Sequence, residues 1–246
     1  MAYVPFCAFA TLIVAQKYTT TTAQLSKALV VIGELVQELQ NIYLRMMSDT
    51  TSRLAAASCY LDAYNQHARV WDLESAILQM RKALENVAYA AICPNKSEYE
   101  KFRASSEDQP DFRKDYRASQ ILNLLSRVNK NFYPIPLLPA IEQENGTKHF
   151  SRKEAKYLSK NKFSKFYDRL GKYLHADNPW SKDKQLQNLA KDIPGVINEV
   201  YSLLELHATF IQTDLFNGVW VVAVEKGKAP VIITGQADGE FVVNDN

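Results

Sequence analysis

The chain has 246 residues, 47% of them hydrophobic and 23% charged, a composition that excludes global disorder and allows a well-buried core. With only 8 Gly and 9 Pro, long uninterrupted helices are permitted and an all-β fold is disfavoured. The net charge of +2 is uninformative about partners, but residues 148–172 hold nine Lys/Arg against two acids, so the basicity is one concentrated patch in an otherwise acidic chain.

In chain order, the apolar stretch 4–15 is too short to span a bilayer and has no positive residues before it, which favours a buried first helix or strand over a signal peptide. After the threonine run Thr19 to Thr22, Leu25, Leu29, Ile32, Val36, Leu39 and Tyr43 recur at helical spacing. That predicts a helix to about Met47, a break at Ser48-Asp49-Thr50, and a second helix carrying Leu54, Ala57, Leu61 and Tyr64. A third helix is expected from Asp72 or Ser75, stopping at Pro94. Residues 103–111 read as a polar loop and 112–128 as another helix. The three prolines of 131–140 require an extended connector packed on the surface, and Asn145-Gly146 marks a turn.

The basic segment predicts two helices, residues 151–158 and 161–175, the latter ended by Asn178-Pro179. A final helix should run to about Thr213, kinked at Pro194-Gly195. From Gly218 the period shortens, and residues 219–224, 230–234 and 240–243 read as strands separated by turns. Three such strands are marginal alone and must pack on the helices. The expected fold is therefore mainly α, a helical domain over 1–213 with a small C-terminal antiparallel β-meander over 214–246 packed against it.

Three cysteines without a C-x-x-C (Cys7, Cys59 and Cys93) fit a reducing, cytoplasmic setting and no disulfide framework. Nucleotide-binding glycine loops, the H-E-x-x-H pair, the G-x-S-x-G elbow and EF-hand loops are all missing, and four histidines without paired spacing give no metal site. No cofactor is expected, and no membrane contact.

The most informative stretch is the helix over 161–175. Phe163, Phe166, Tyr167, Leu170 and Leu174 form one apolar stripe. Arg169 and His175 flank it at the boundary between core and solvent. Six intervening steps of an ideal helix put these two about 120° apart; loosening near Gly171 and Pro179, or a second protomer, would be needed to unite them. One reading gives His175 proton transfer near neutrality and Arg169 a permanent bidentate grip on phosphate oxygens. The other makes Arg169 a solvated cation and His175 a cap at the helix C-terminus.

The Arg169-x5-His175 spacing on a late helix of a helical chain resembles the HEPN superfamily, whose signature is an arginine and a histidine four to six residues apart. That resemblance implies a helical bundle, a homodimer with two motifs at a shared cleft, and a metal-independent endoribonuclease or RNA-binding role in toxin–antitoxin or phage-defence systems, with an antitoxin as possible partner. It makes Arg169 and His175 the catalytic pair and Lys160, Lys162, Lys165, Lys172 and Asn178 candidate RNA contacts.

The basic run from Lys153 to Lys165, interleaved with Phe150, Tyr157 and Phe163, reads either as a phosphate-binding surface or as a solvated charged face. Arg81 and Glu85 read as a surface i,i+4 ion pair. His207, on the stripe of Val200, Leu204 and Ile211, reads as a satisfied core histidine rather than a second base. Two further functions stay open: a non-catalytic helical interaction module, such as an immunity or scaffold protein, and a sensor of a phosphorylated small ligand.

Overall fold

The computed structural model describes residues 22–107, 110–144, 146, 148–175, 180, 186–212 and 217–236. The apolar stretch 4–15, Cys7, Asn178, Pro179 and the expected strand at 240–243 lie outside them. The protein is mainly helical with a small antiparallel sheet.

The first helix, α1 (Thr22–His67), runs without the expected break. The residues read as a stop bond back into the helix instead. Thr50 Oγ1 donates to the Met46 carbonyl at 2.7 Å, Thr51 Oγ1 to Ser48 O at 2.8 Å, and Ser52 Oγ to Ser48 O at 3.0 Å. Hydroxyls that often compete with the helical backbone here satisfy it. Asp49 is tied down by Arg53 Nε at 2.8 Å and by Asn86 Nδ2 of the next helix at 2.6 Å. The turn at the end of α1 uses Ala68 at φ +53°, whose N–H reaches Tyr64 O at 2.7 Å.

Helix α2 (Val70–Ile92) starts two residues before the earliest expected position. Pro94 does not stop the helical path. It sits in a 3₁₀ turn, Cys93–Asn95, and α3 (Lys96–Ala104) follows at once, because a proline in a first turn gives up an N–H that has no helical acceptor anyway. The helix expected over 112–128 is divided. Phe112–Lys114 is a 3₁₀ turn, Asp115 is extended, and α4 spans Ala118–Val128. Asp115 is drawn inward by Tyr99 Oη at 2.7 Å and Arg103 Nη2 at 3.0 Å, a side-chain brace that holds it out of helical register.

The proline-rich connector is not merely surface. Ile135–Pro136 (β1) pairs with a later strand as the edge of the main sheet, where a missing N–H is tolerated. The next turn of chain forms a hairpin, β2 (Ile141–Glu142) with β3 (Lys148–His149), around Gly146 at φ +78°. Residues 151–158 are not helical: Leu138 N bonds Ser151 O, Lys153 N bonds Pro136 O, and Leu137 bridges Arg152. Backbone pairing with the connector thus outweighs the local helical pattern.

Helix α5 (Lys160–Gly171) is followed by α6 (Leu186–Leu204), which continues through Pro194. The final helix ends nine residues before the expected Thr213. Residues Leu206–Gln212 form β4, which pairs in register with β5 (Asn217–Ala223), itself paired to β6 (Val231–Gln236). The four-stranded order is β1-β4-β5-β6. Gly227 at φ +75° makes the turn between β5 and β6.

Helices and sheet share one core, in which Trp220, Val222 and Val224 lie among residues of α1, α2 and α6. Two polar joints stitch them together. Asn129 Nδ2 donates to Asn95 Oδ1 at 2.8 Å and to the Phe210 carbonyl at 3.2 Å. His207 is fully buried, as a core histidine should be, although on a strand rather than a helix. Its Nδ1 faces the Leu204 carbonyl at 2.8 Å and must carry the proton, so Nε2 accepts from Tyr43 Oη at 2.6 Å. Burial pulls its pKa down to about 4, against a smaller upward pull from the Leu204 carbonyl.

Candidate functional site

Helix α5 forms because Ser159 caps it, its Oγ accepting from Lys162 N, and because Phe163, Phe166, Tyr167 and Leu170 bury one face. The fifth member of that stripe, Leu174, lies past the helix and is 36% exposed. The α-helix ends at Gly171, four residues before His175. Bonds from Lys172, Tyr173 and Leu174 N–H to the carbonyls three residues earlier tighten the exit, so the ideal α-helical angle between Arg169 and His175 does not apply beyond Gly171.

Gly171 is explained by its neighbour. A Cβ there would lie 2.7 Å from Arg81 Nη1. Arg81 and Glu85 are not a plain surface pair: both are largely buried, with side chains 20% and 24% exposed. The Arg81 guanidinium lies 4.0 Å from the centre of the Tyr167 ring, donates to Tyr167 Oη at 2.5 Å and to its carbonyl at 3.3 Å, while Tyr167 Oη donates to Glu85 at 2.8 Å. Burial, reinforced by Glu85, pushes the Tyr167 hydroxyl up to about 12. This knot locks the C-terminal half of α5 onto α2.

Arg169 sits on the solvent side of the last turn and bonds Asp192 of α6 at 2.6 Å. Bonds to Asp192 and then to Tyr173 raise its pKa further, against burial. His175 is exposed on the exit turn. Lys160 and Lys162 lie on the first turn, about 10–14 Å from Arg169 along the axis at 1.5 Å per residue, and Lys165 and Lys172 are exposed between and beyond. The candidate contacts thus spread along one helix and its exit rather than gather in one cluster.

Charge in this region is lower than the sequence count suggests. Asp192 and Glu199 stand seven apart on α6, with Glu205 just beyond its end, and they pair with Arg169, Lys162 and Lys153 respectively. Three of the nine cations in 148–172 are therefore answered from another element. Spacing i,i+7 on α6 was the available signal, but the pairing partner lies over 20 residues away. Among the described residues no cluster of three or more His, Cys, Asp or Glu is placed to hold a metal ion, and no helix is long and apolar enough to cross a membrane.

No family model matches the chain, and no curated protein or solved structure is significantly similar to it.

Proposed function

We propose that this protein binds RNA as a HEPN-like helical protein and cleaves it without a metal ion, with His175 as the acid–base group and Arg169 as the phosphate stabiliser. The observation supporting this is the position of the pair: Arg169 is oriented by Asp192 at the end of a helix locked by the Arg81–Tyr167 knot, and His175 is exposed on the turn that follows. A guanidinium has more N–H donors than one carboxylate oxygen takes, so the Asp192 contact orients it while leaving donor capacity for a phosphate. In the reaction the ribose 2′-oxygen gives its proton to His175 and attacks the adjacent phosphorus. The P–O5′ bond breaks, the proton returns to the departing 5′-oxygen, and a 2′,3′-cyclic phosphate remains. A homodimer with two such pairs and a toxin or phage-defence role follow from the family resemblance.

The test is cleavage of single-stranded RNA in EDTA. His175→Ala should lower the rate by about 10²-fold or more, Arg169→Ala comparably, and the fragments should end in cyclic phosphate. The Arg169–Asp192 ion pair favours a second reading, in which the arginine only joins α5 to α6 in a non-catalytic interaction module. In that case no cleavage is seen above background, or His175→Ala leaves it unchanged.

A further inference from the structure

At the end of α5 remote from Arg169, a cleft of about 180 Å³ opens between residues 130–136, residues 152–157 and the first turn of the helix. Three cations from separate stretches of chain line it, Lys130, Arg152 and Lys160, with Asn131, Tyr133 and Tyr157 among them and no Asp or Glu among its described lining residues. The walls are fixed: Tyr133 Oη donates to the Leu158 carbonyl at 2.7 Å, the Arg152 backbone bridges Leu137, and Lys160 lies 5.7 Å from the centre of the Phe132 ring. Ser159 already caps the helix by taking the Lys162 N–H, so the positive character of the cleft comes from its side chains.

We infer that this cleft is a phosphate-binding site that takes the phosphate group of a nucleotide, either free or within a strand. Like charges converging on a concave space focus a positive field. Arg152 supplies a planar fork that fits phosphate oxygens, and the two lysines supply point charges. The space is smaller than the roughly 300–1,000 Å³ of pockets for drug-sized ligands. It therefore admits the phosphate and part of the sugar, with the base left at the rim near the half-buried Tyr157 ring, a surface on which bases stack. Only the strand-bound form rests on the RNA reading; there it adds a second anchor about one helix length from Arg169.

Calorimetry on the full chain with inorganic phosphate, adenosine monophosphate and a 2′-O-methyl oligouridylate, which cannot be cleaved, tests this. Lys130→Gln, Arg152→Gln and Lys160→Gln should each weaken phosphate and nucleotide binding at least about fivefold, as expected for charge-assisted hydrogen bonds, whereas Lys114→Gln, on the Phe112–Lys114 turn, should not. If the source is a strand, each variant should also flatten the dependence of log K on log salt by about 0.7 per lost contact. Phosphate and nucleotide binding without strand binding supports the cleft and overturns the RNA reading. Phosphate, nucleotide and strand binding all equally strong in the cleft variants and in Lys114→Gln overturns the cleft and leaves the RNA reading standing. Binding of none of the three probes overturns the cleft as well. Melting curves check each fold, and Lys130→Gln, at an exposed position, carries the comparison if Arg152→Gln unfolds early.

Discussion

Alanine at a helical glycine ordinarily stabilises by about 0.5–1 kcal/mol, since glycine has more backbone entropy to lose. At Gly171 the opposite is expected. The added methyl would meet Arg81 Nη1 at 2.7 Å, and Arg81 is pinned by its bond to Tyr167 Oη, its bond to the Tyr167 carbonyl and its stack on the ring. Displacing it forfeits a charge-assisted hydrogen bond of about 1.5–3 kcal/mol and a cation–π contact of about 0.5–2 kcal/mol. Against the propensity gain, Gly171→Ala should cost about 1–4.5 kcal/mol, and each kcal/mol should lower the melting temperature by roughly 2–4 °C for a chain of this size. In an Arg81→Ala background the obstacle is gone, and the same substitution should become neutral or stabilising. Urea unfolding of the four proteins gives the coupling directly. Stabilisation by Gly171→Ala alone, or a coupling within about 0.5 kcal/mol of zero, refutes the claim that Arg81 dictates this glycine.

Two further outcomes follow from the buried and strained positions. His207 has a folded pKa near 4 against an ordinary 6.5; a depressed base stabilises fully above its unfolded pKa, so stability should fall by about 3 kcal/mol as pH drops from 6.5 to 4. Urea titrations at several pH values should lose that slope in the Tyr43→Phe, His207→Leu double variant, which removes both partners together, and a retained slope assigns it to other groups. Ala68 at φ +53° occupies a region that costs an L-residue about 1–2 kcal/mol, so Ala68→Gly should raise stability by up to about 1 kcal/mol; a loss in urea unfolding would show that the Ala68 methyl contributes more than its backbone strain.

Local pattern carried most of the helical body. The stripe of Phe163, Phe166, Tyr167 and Leu170 is buried as its spacing implies, α2 and α6 bury the apolar positions that announced them, and α1 buries Tyr43, Leu54, Ala57 and Leu61. Misreadings cluster where distant chain supplies the partner. Leu204, His207 and Ile211 satisfy a helical period, yet Val224 N bonds Glu205 O and the chain turns into β4 against β5. A short run of this kind fits either period, and only the presence of a pairing strand decides. The same is true at 151–158, where the connector at 136–138 claims the backbone. At Ser48 to Ser52 the error ran the other way: residues that cap helices also bond within them, and burial of Met47 and Leu54 on one continuous face selects the second use.

The candidate pair could be named from the sequence, but the charge around it could not. Arg169 and His175 are singled out by spacing alone, whereas the commitments of Arg169 and Lys162 to Asp192 and Glu199 depend on α6 coming within reach of α5, and that of Lys153 to Glu205 on the chain just past α6. Exposed pairs of this kind contribute roughly 0–1 kcal/mol to stability, so their larger effect is to sort the cations. Those answered from α6 orient elements and set register. Lys130, Arg152 and Lys160 come together at a cleft whose described lining residues include no Asp or Glu. One of these, Lys130, lies outside the segment 148–172 whose composition first marked the region as basic, which is why a window count located the neighbourhood and missed the cleft. On the proposed reading, a phosphate-bearing ligand is read by the arrangement of three cations from three stretches of chain, not by the density of lysines along one.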